Sequence, residues 1–131
     1  MIRSLKASSL PRPRFLYTPV VQAGPWIVFS GMIGLDPASG KLVDGGAGPQ
    51  TRQILANLGG AMRELSLTAD ALVSARIFTT RFGEFGLINE AWDEWLGQTA
   101  RPPARTSVGV SALPLGAIVE MEFSFYEDSS P

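Results

Sequence analysis

Cysteine and histidine are both absent from the 131 residues, and their joint absence excludes more chemistry than any residue present supplies. There is no thiolate nucleophile, no disulfide, no zinc site of the usual Cys/His kind, no Ser-His-Asp triad and no imidazole base. Acid–base work is left to Asp, Glu, Tyr, Lys or an Arg-held water. On redox compartment the missing cysteines are neutral, because a reducing cytosol and a disulfide-free secreted protein both allow them. Charge is also scarce, at 18% of residues with a net value of -1, so the whole chain has no basic footprint for a phosphate backbone. No stretch reaches the roughly 18 apolar residues that span a bilayer, and no signal-peptide core follows Met1. The expectation is a soluble cytoplasmic protein.

What is present fits one globular domain. Hydrophobic residues make up 45% of the chain, which excludes a disordered tail, a collagen or a coiled coil. A chain of this length buries about two-thirds of its unfolded surface around one core. Arg3, Lys6, Arg12 and Arg14 precede the first acid, Asp36, and the remainder carries seven basic and twelve acidic residues. Pro11 and Pro13 oppose a helix in this opening stretch. Residues 1–14 are therefore expected to form a solvated basic arm, and residues 15–131 a single domain.

The runs Tyr17 to Val21 and Trp26 to Phe29, parted by Gln22 to Pro25, read as a hairpin. Asp36-Pro37 and Ser39-Gly40 mark a turn before a short strand at Lys41 to Val43. After the loop Asp44 to Pro49, Ile54, Leu55, Leu58, Ala61, Met62 and Leu65 recur at helical spacing, giving a helix over about 49–65. The Gly59-Gly60 pair within it costs about 1 kcal/mol per glycine relative to alanine, which implies close packing there, expected against a sheet. Ala71 to Thr80 alternates as a strand, and a second helix runs from about Glu84 to Gly97 with Phe85, Ile88, Ala91, Trp92, Trp95 and Leu96 on one face.

The last two strands sort packing from chemistry. In Ile118 to Tyr126, Val119, Met121, Phe123 and Phe125 form the core face, leaving Glu120, Glu122, Ser124 and Tyr126 opposite. In Arg105 to Val110, Arg105, Ser107 and Gly109 share a face. If the two strands are adjacent, Arg105 and Glu120 stand on one side, with the planar guanidinium available to a carboxylate. Taken alone, each also fits a plain structural role: an ion-paired arginine, a solvated glutamate, and Ser30-Gly31 as turn chemistry. Two helices on one face of a predominantly antiparallel sheet give an α+β layer architecture. Its uncovered face must meet water or another subunit.

Other chemistries fail on spacing. Gly40-Lys41 is not a phosphate loop, since GxxxxGK[ST] needs Gly and Ser/Thr where Leu35 and Leu42 stand. Trp26 and Phe29 lack interleaved basic residues, so core packing is expected for both rather than base stacking. Trp92 and Trp95 belong to the apolar stripe of the second helix.

Ser30-Gly-Met-Ile-Gly-Leu-Asp-Pro37 with Gly40, Gln50-Thr51 with Asn57-Leu58, Phe85 with Asn89-Glu90, Pro103-Ala-Arg-Thr106, Ala112-Leu-Pro-Leu-Gly116 and Val119-Glu-Met-Glu122 occur in one order across about 17–126. Together they resemble the YjgF/Rid family, the reactive intermediate deaminases also labelled endoribonuclease L-PSP. The resemblance implies a chorismate-mutase-like α+β fold assembled as a homotrimer, with pockets at the subunit interfaces. It implies hydrolysis of 2-imino acids or their enamine tautomers, such as 2-iminopropanoate and 2-iminobutanoate, to 2-keto acids and ammonia, without metal or organic cofactor. Position by position, it assigns Arg105 to the substrate carboxylate and Glu120 to the attacking water and proton transfer. Tyr17 falls near the reacting nitrogen, and Ser30, Gly31 and Asn89 shape or hydrogen-bond the pocket.

One position departs from the family pattern. Ser107 replaces a cysteine two residues after the arginine, which excludes thiol-dependent behaviour but leaves backbone contacts from that position. Expected partners are a small 2-imino or 2-keto acid and further copies of the chain, with neither nucleic acid nor membrane. Alternative readings are a pathway-specific deaminase of a larger aminoacrylate- or aminomuconate-type enamine, and a non-catalytic keto-acid-binding trimer. Ribonuclease or translation-inhibitor activity ranks last, because the usual imidazole is missing. A shared fold does not by itself fix activity, so Arg105 carries most of the weight for deamination.

Overall fold

The computed structural model describes residues 1–97 and 101–128. Its strands are β1 (Ile2–Leu5), β2 (Val20–Ala23), β3 (Trp26–Met32), β4 (Leu72–Thr79), β5 (Ala104–Gly109) and β6 (Val119–Tyr126). Two α-helices, α1 (Ala47–Glu64) and α2 (Phe85–Leu96), interrupt them. The strands form one sheet in the order β1-β2-β3-β6-β4-β5, antiparallel except for the β4–β5 pair. That parallel pair requires a crossover, and α2 supplies it.

The periodicities place the core as expected. Ile54, Leu55, Leu58, Ala61 and Met62 of α1 bury against the inner face of the sheet, where Val119, Met121, Phe123 and Phe125 of β6 are all at most 1% exposed. Buried polar groups pin this layer to the loops. The Gln50 Oε1 accepts from the Ile118 backbone N–H at 2.8 Å, just before β6 begins. The Asn57 Nδ2 donates to the Leu35 carbonyl at 2.8 Å and holds the loop after β3. Gly34 passes so close to α1 that an added Cβ would stand 2.7 Å from the Gln50 carbonyl oxygen. The Gln50, Asn57 and Gly34 positions of the sequence pattern therefore serve architecture, fixing the two segments that carry the site.

Five expectations need correction. First, the hairpin strand starts at Val20 rather than Tyr17, since Pro19 cannot donate to a ladder; the connecting turn is Gly24-Pro25, with Gly24 at φ 59°. Second, Lys41 to Val43 forms only an isolated Leu35–Leu42 bridge, closed by an Asp36 N–H to Lys41 carbonyl bond of 2.8 Å. Third, Gly59 and Gly60 admit neighbours other than the sheet: Trp95 of α2 lies at Gly59, and Ser9 lies 3.0 Å from the Cβ position of Gly60. Fourth, Trp26 is not in the core but 40% exposed on the open face of the sheet, edge-on to Tyr126 at 5.2 Å. Fifth, the basic opening stretch does not stand free in solvent. Ile2–Leu5 pairs with β2 as an edge strand, which satisfies backbone groups that an exposed edge would leave open. Ser8 then binds the Glu64 carboxylate through its N–H and hydroxyl, and the Ser9 hydroxyl donates to the Asn57 carbonyl at 2.8 Å.

Candidate active site

Glu120 sits on β6, on the sheet face away from the helices, across from Phe78 of β4. Next to it the β3–β6 ladder carries a bulge, in which Ser30 and Gly31 together stand opposite Glu122 between the Phe29–Phe123 and Met32–Met121 pairs. Bulges bend a strand and re-aim its residues. Here the glycine is required by contact: a Cβ at Gly31 would lie 2.9 Å from the Glu120 carboxyl carbon and closer still to one of its oxygens. The carboxylate thus rests against bare backbone. Burial, followed by the neighbouring negative charge of Glu122, holds the Glu120 carboxyl above the ordinary carboxylate range. Glu122 is itself tied to Arg76 of β4 at 3.7 Å, whereas Glu120 has no ion-pair partner among the described residues.

Ser30 connects this bulge to the chain before β2. Its N–H donates to the Pro19 carbonyl at 2.8 Å and its hydroxyl to the Thr18 carbonyl at 2.6 Å. These bonds fix Tyr17, 46% exposed, at the same opening. Tyr17, Ser30, Gly31 and Glu120 all line one cavity of about 1010 Å³. Its wall is completed by Leu10 to Phe15, by the Leu35 to Gly40 turn region and by Pro114 and Leu115.

Arg105, Asn89 and Ser107 do not line that cavity. The expectation that Arg105 and Glu120 share a side fails for two reasons: β4 lies between their strands, and the register sets Arg105 beside Ala75, on the core side, but Glu120 beside Phe78, on the open side. Arg105 instead lies over two rings of α2, with its guanidinium carbon 5.6 Å from the centroid of Phe85 and 5.6 Å from that of Trp92. Asn89 belongs to the same helical stripe, spaced i+4 from Phe85 and i−3 from Trp92. Ser107 follows Arg105 on the same face of β5, beside Ile77. Arg105 has no carboxylate partner among the described residues, so its fork is free for an anion. The aromatic shelf is the part that sequence reasoning missed; the i, i+7 spacing of Phe85 and Trp92 was its only signal, and it was absorbed into the apolar stripe.

Each chain therefore carries two separate clusters: a half-buried carboxylate set against a strand bulge at Glu120, and a guanidinium on an aromatic shelf at Arg105. Among the described residues no cluster of three acidic side chains is placed to hold a metal ion, and no helix is long and apolar enough to cross a membrane.

Comparisons with known proteins identify the family. The family described as endoribonuclease L-PSP matches residues 8–126. A RutC family protein of Aquifex aeolicus is 34% identical over 121 residues, covering 92% of this chain and 96% of its own. The 2-iminobutanoate/2-iminopropanoate deaminase of mouse is 35% identical over 106 residues, covering 81% and 77%. Among solved structures, a Rid-family protein of Yersinia pestis superposes with a TM-score of 0.90 at 28% identity, covering 96% of this chain and 99% of that one. With the α+β fold, the matched span and these relatives in agreement, the chain belongs to the YjgF/Rid family, the endoribonuclease L-PSP family.

Proposed function

We propose that this protein is an imine deaminase, hydrolysing 2-imino acids or their enamine tautomers to 2-keto acids and ammonia, at sites completed by a second copy of the chain in a homotrimer. The observation that carries the reading is Glu120, an unpaired half-buried carboxylate with a raised pKa that lines a cavity. A raised pKa makes the ionised carboxylate a stronger general base. Its natural complement, the free guanidinium of Arg105, faces the other side of the same sheet, so one chain cannot bring both to one small substrate.

The chemistry asks little of the protein. Arg105 of one copy binds the substrate carboxylate bidentately. The iminium carbon, already electrophilic, lies against the Ser30-Gly31 backbone of another copy. Glu120 orients a water and takes its proton as the C–O bond forms, giving a carbinolamine. The same carboxylic acid then protonates the amine nitrogen; as the C–N bond breaks, the regenerated carboxylate takes the carbinolamine hydroxyl proton and hands it to the departing ammonia, which leaves as ammonium together with the 2-keto acid. For an enamine, protonation at carbon precedes attack. Tyr17 stands at the opening where the nitrogen departs, and Asn89 and Ser107 border the Arg105 side. Orientation and one proton shuttle supply the acceleration.

The test is keto-acid release from 2-iminopropanoate and 2-iminobutanoate generated in situ by an amino-acid oxidase. The wild type should exceed buffer hydrolysis, with Arg105→Ala reduced about 100-fold or more in kcat/KM while the assembly stays intact. No acceleration by a correctly assembled wild type overturns the reading.

A further inference from the structure

The segment between β1 and β2 runs from the helix layer, where Ser9 meets α1, to the Glu120 side, where Tyr17 stands. The Ser30 bonds reach only Thr18 and Pro19. The Tyr17 N–H turns back onto the Phe15 carbonyl at 2.9 Å, so Tyr17 belongs to the stretch that precedes it and its placement depends on the other end as well. That end is docked on α1. The Leu10 N–H closes a turn onto the Ala7 carbonyl at 3.2 Å, and both residues pack against the core. Within this turn the Ser9 hydroxyl donates to the Asn57 carbonyl at 2.8 Å, using the lone pair that a helical carbonyl keeps beyond its ladder bond. The dock is left open by a glycine: a Cβ at Gly60 would stand 3.0 Å from both the Cβ and the Oγ of Ser9. A glycine inside a helix weakens it, and here the space it leaves is occupied by Ser9. Asn57 supports the other flank too. Its Nδ2 donates to the Leu35 carbonyl at 2.8 Å while its Oδ1 accepts from the Gln53 Nε2 at 2.9 Å. Two stretches that border Glu120 thus hang from one residue, one from its backbone and one from its buried side chain, by bonds made within one chain on α1.

We propose that Ser9 is a positioning residue for the Glu120 site: docked at Gly60, it holds from the helix layer the segment that carries Tyr17, and registers it with the Leu35 turn through their common support, Asn57. The role of Tyr17 beside the substrate rests on the deaminase reading, but the docking is a property of the folded chain. Ser9 touches no reacting atom and acts only through Tyr17. Two consequences set this apart from a general contribution to stability. Loss of the dock loosens the Tyr17 segment and leaves the helix beneath it intact, and its effect on the reaction disappears once Tyr17 itself is gone. Gly60→Ala adds a further contrast, because alanine is the better helix former yet crowds Ser9.

The experiment compares the full-chain wild type with Ser9→Ala and Gly60→Ala by amide hydrogen exchange, and by steady-state hydrolysis of 2-iminobutanoate in both the Tyr17 and the Tyr17→Ala backgrounds. In both variants, exchange over residues 10–18 should speed up about tenfold, while α1 and β6 exchange as in the wild type. With Tyr17 present, kcat/KM should fall about three- to tenfold. With Tyr17→Ala, neither substitution should lower it further. Unchanged exchange over residues 10–18, or acceleration that extends equally through α1, overturns the proposal. So does a kinetic loss that multiplies with that of Tyr17→Ala. A wild type that hydrolyses no imine loses the deaminase reading, and the exchange pattern then decides by itself whether Ser9 holds the Tyr17 segment. An active wild type whose Ser9→Ala variant exchanges and turns over identically keeps the deaminase reading and loses this proposal.

Discussion

Glu120 lies on a central strand with a bulge on one side and its carboxylate against a residue that has no side chain. Arg105 lies on the outermost strand, exposed, with its guanidinium resting on the rings of Phe85 and Trp92. On the proposed mechanism the contrast follows the demands of each task. A general base must sit within hydrogen-bond reach of one proton and in surroundings that raise its pKa, so its position is set by backbone and burial. An anion clamp needs charge and a planar fork, and aromatic faces can orient that fork while leaving its N–H groups free. One group is rigid because a neighbour is missing, the other because two neighbours are present.

Removing the empty space at Gly31 is the sharpest way to break the first group. Gly31→Ala should displace the Glu120 carboxylate by the few tenths of an ångström to an ångström that the contact demands, and should lower kcat for imine hydrolysis about 100-fold. The far-ultraviolet circular dichroism and assembly state should be unchanged, and the loss should appear in kcat rather than in KM. A wild-type kcat in this variant contradicts the contact argument.

The second group should yield more gently. Phe85→Leu keeps an apolar side chain but removes one of the two ring faces under Arg105, worth about 0.5–1 kcal/mol at an exposed site. A two- to fivefold rise in KM for small imino acids, with kcat held, is the expected outcome of steady-state kinetics. A fall in kcat alone would place Phe85 in the chemistry instead.

The smallest effect concerns stability. Glu120's folded pKa is raised above its unfolded value, chiefly by burial and then by Glu122. The folded state therefore binds its proton more tightly, and the associated stability is present below the unfolded carboxylate range and lost as pH rises through the folded value. At neutral pH the ionised group is a net cost, held below about 1 kcal/mol by its partial exposure. Glu120→Gln should thus raise Tm by a few degrees at pH 7, and the gain should disappear at pH 4. Equal Tm differences at both values contradict the burial argument.

The sequence made much of this visible. Alternation in Val119 to Phe125 correctly turned Glu120 away from the core, because successive strand residues face opposite sides regardless of what lies next to them. The helical stripe of Ile54, Leu55, Leu58 and Ala61 located α1 for the same reason. Relations between elements were not visible. Nothing in Arg105 to Val110 reveals that β4 intervenes between it and β6, nor that the apparent polar face of β5 lies on the helix side of the sheet. The bonds of Ser8 and Ser9 to α1 join residues 48 and 56 positions apart, beyond what any local pattern can encode. The opening stretch consequently reads as free chain when it forms both a sheet edge and a cavity wall.

The central claim is that Glu120 and Arg105 act on one substrate only when they come from different copies of the chain. Subunit complementation tests it directly: Arg105→Ala and Glu120→Gln, each inactive alone, are unfolded together in equal amounts, refolded and verified as mixed trimers. Random assortment in a cyclic trimer pairs an intact Arg105 with an intact Glu120 across about a quarter of the interfaces, so recovery of about a quarter of wild-type activity is expected. Mixed trimers with no more activity than either parent would contradict the account and place both residues in a single-chain site.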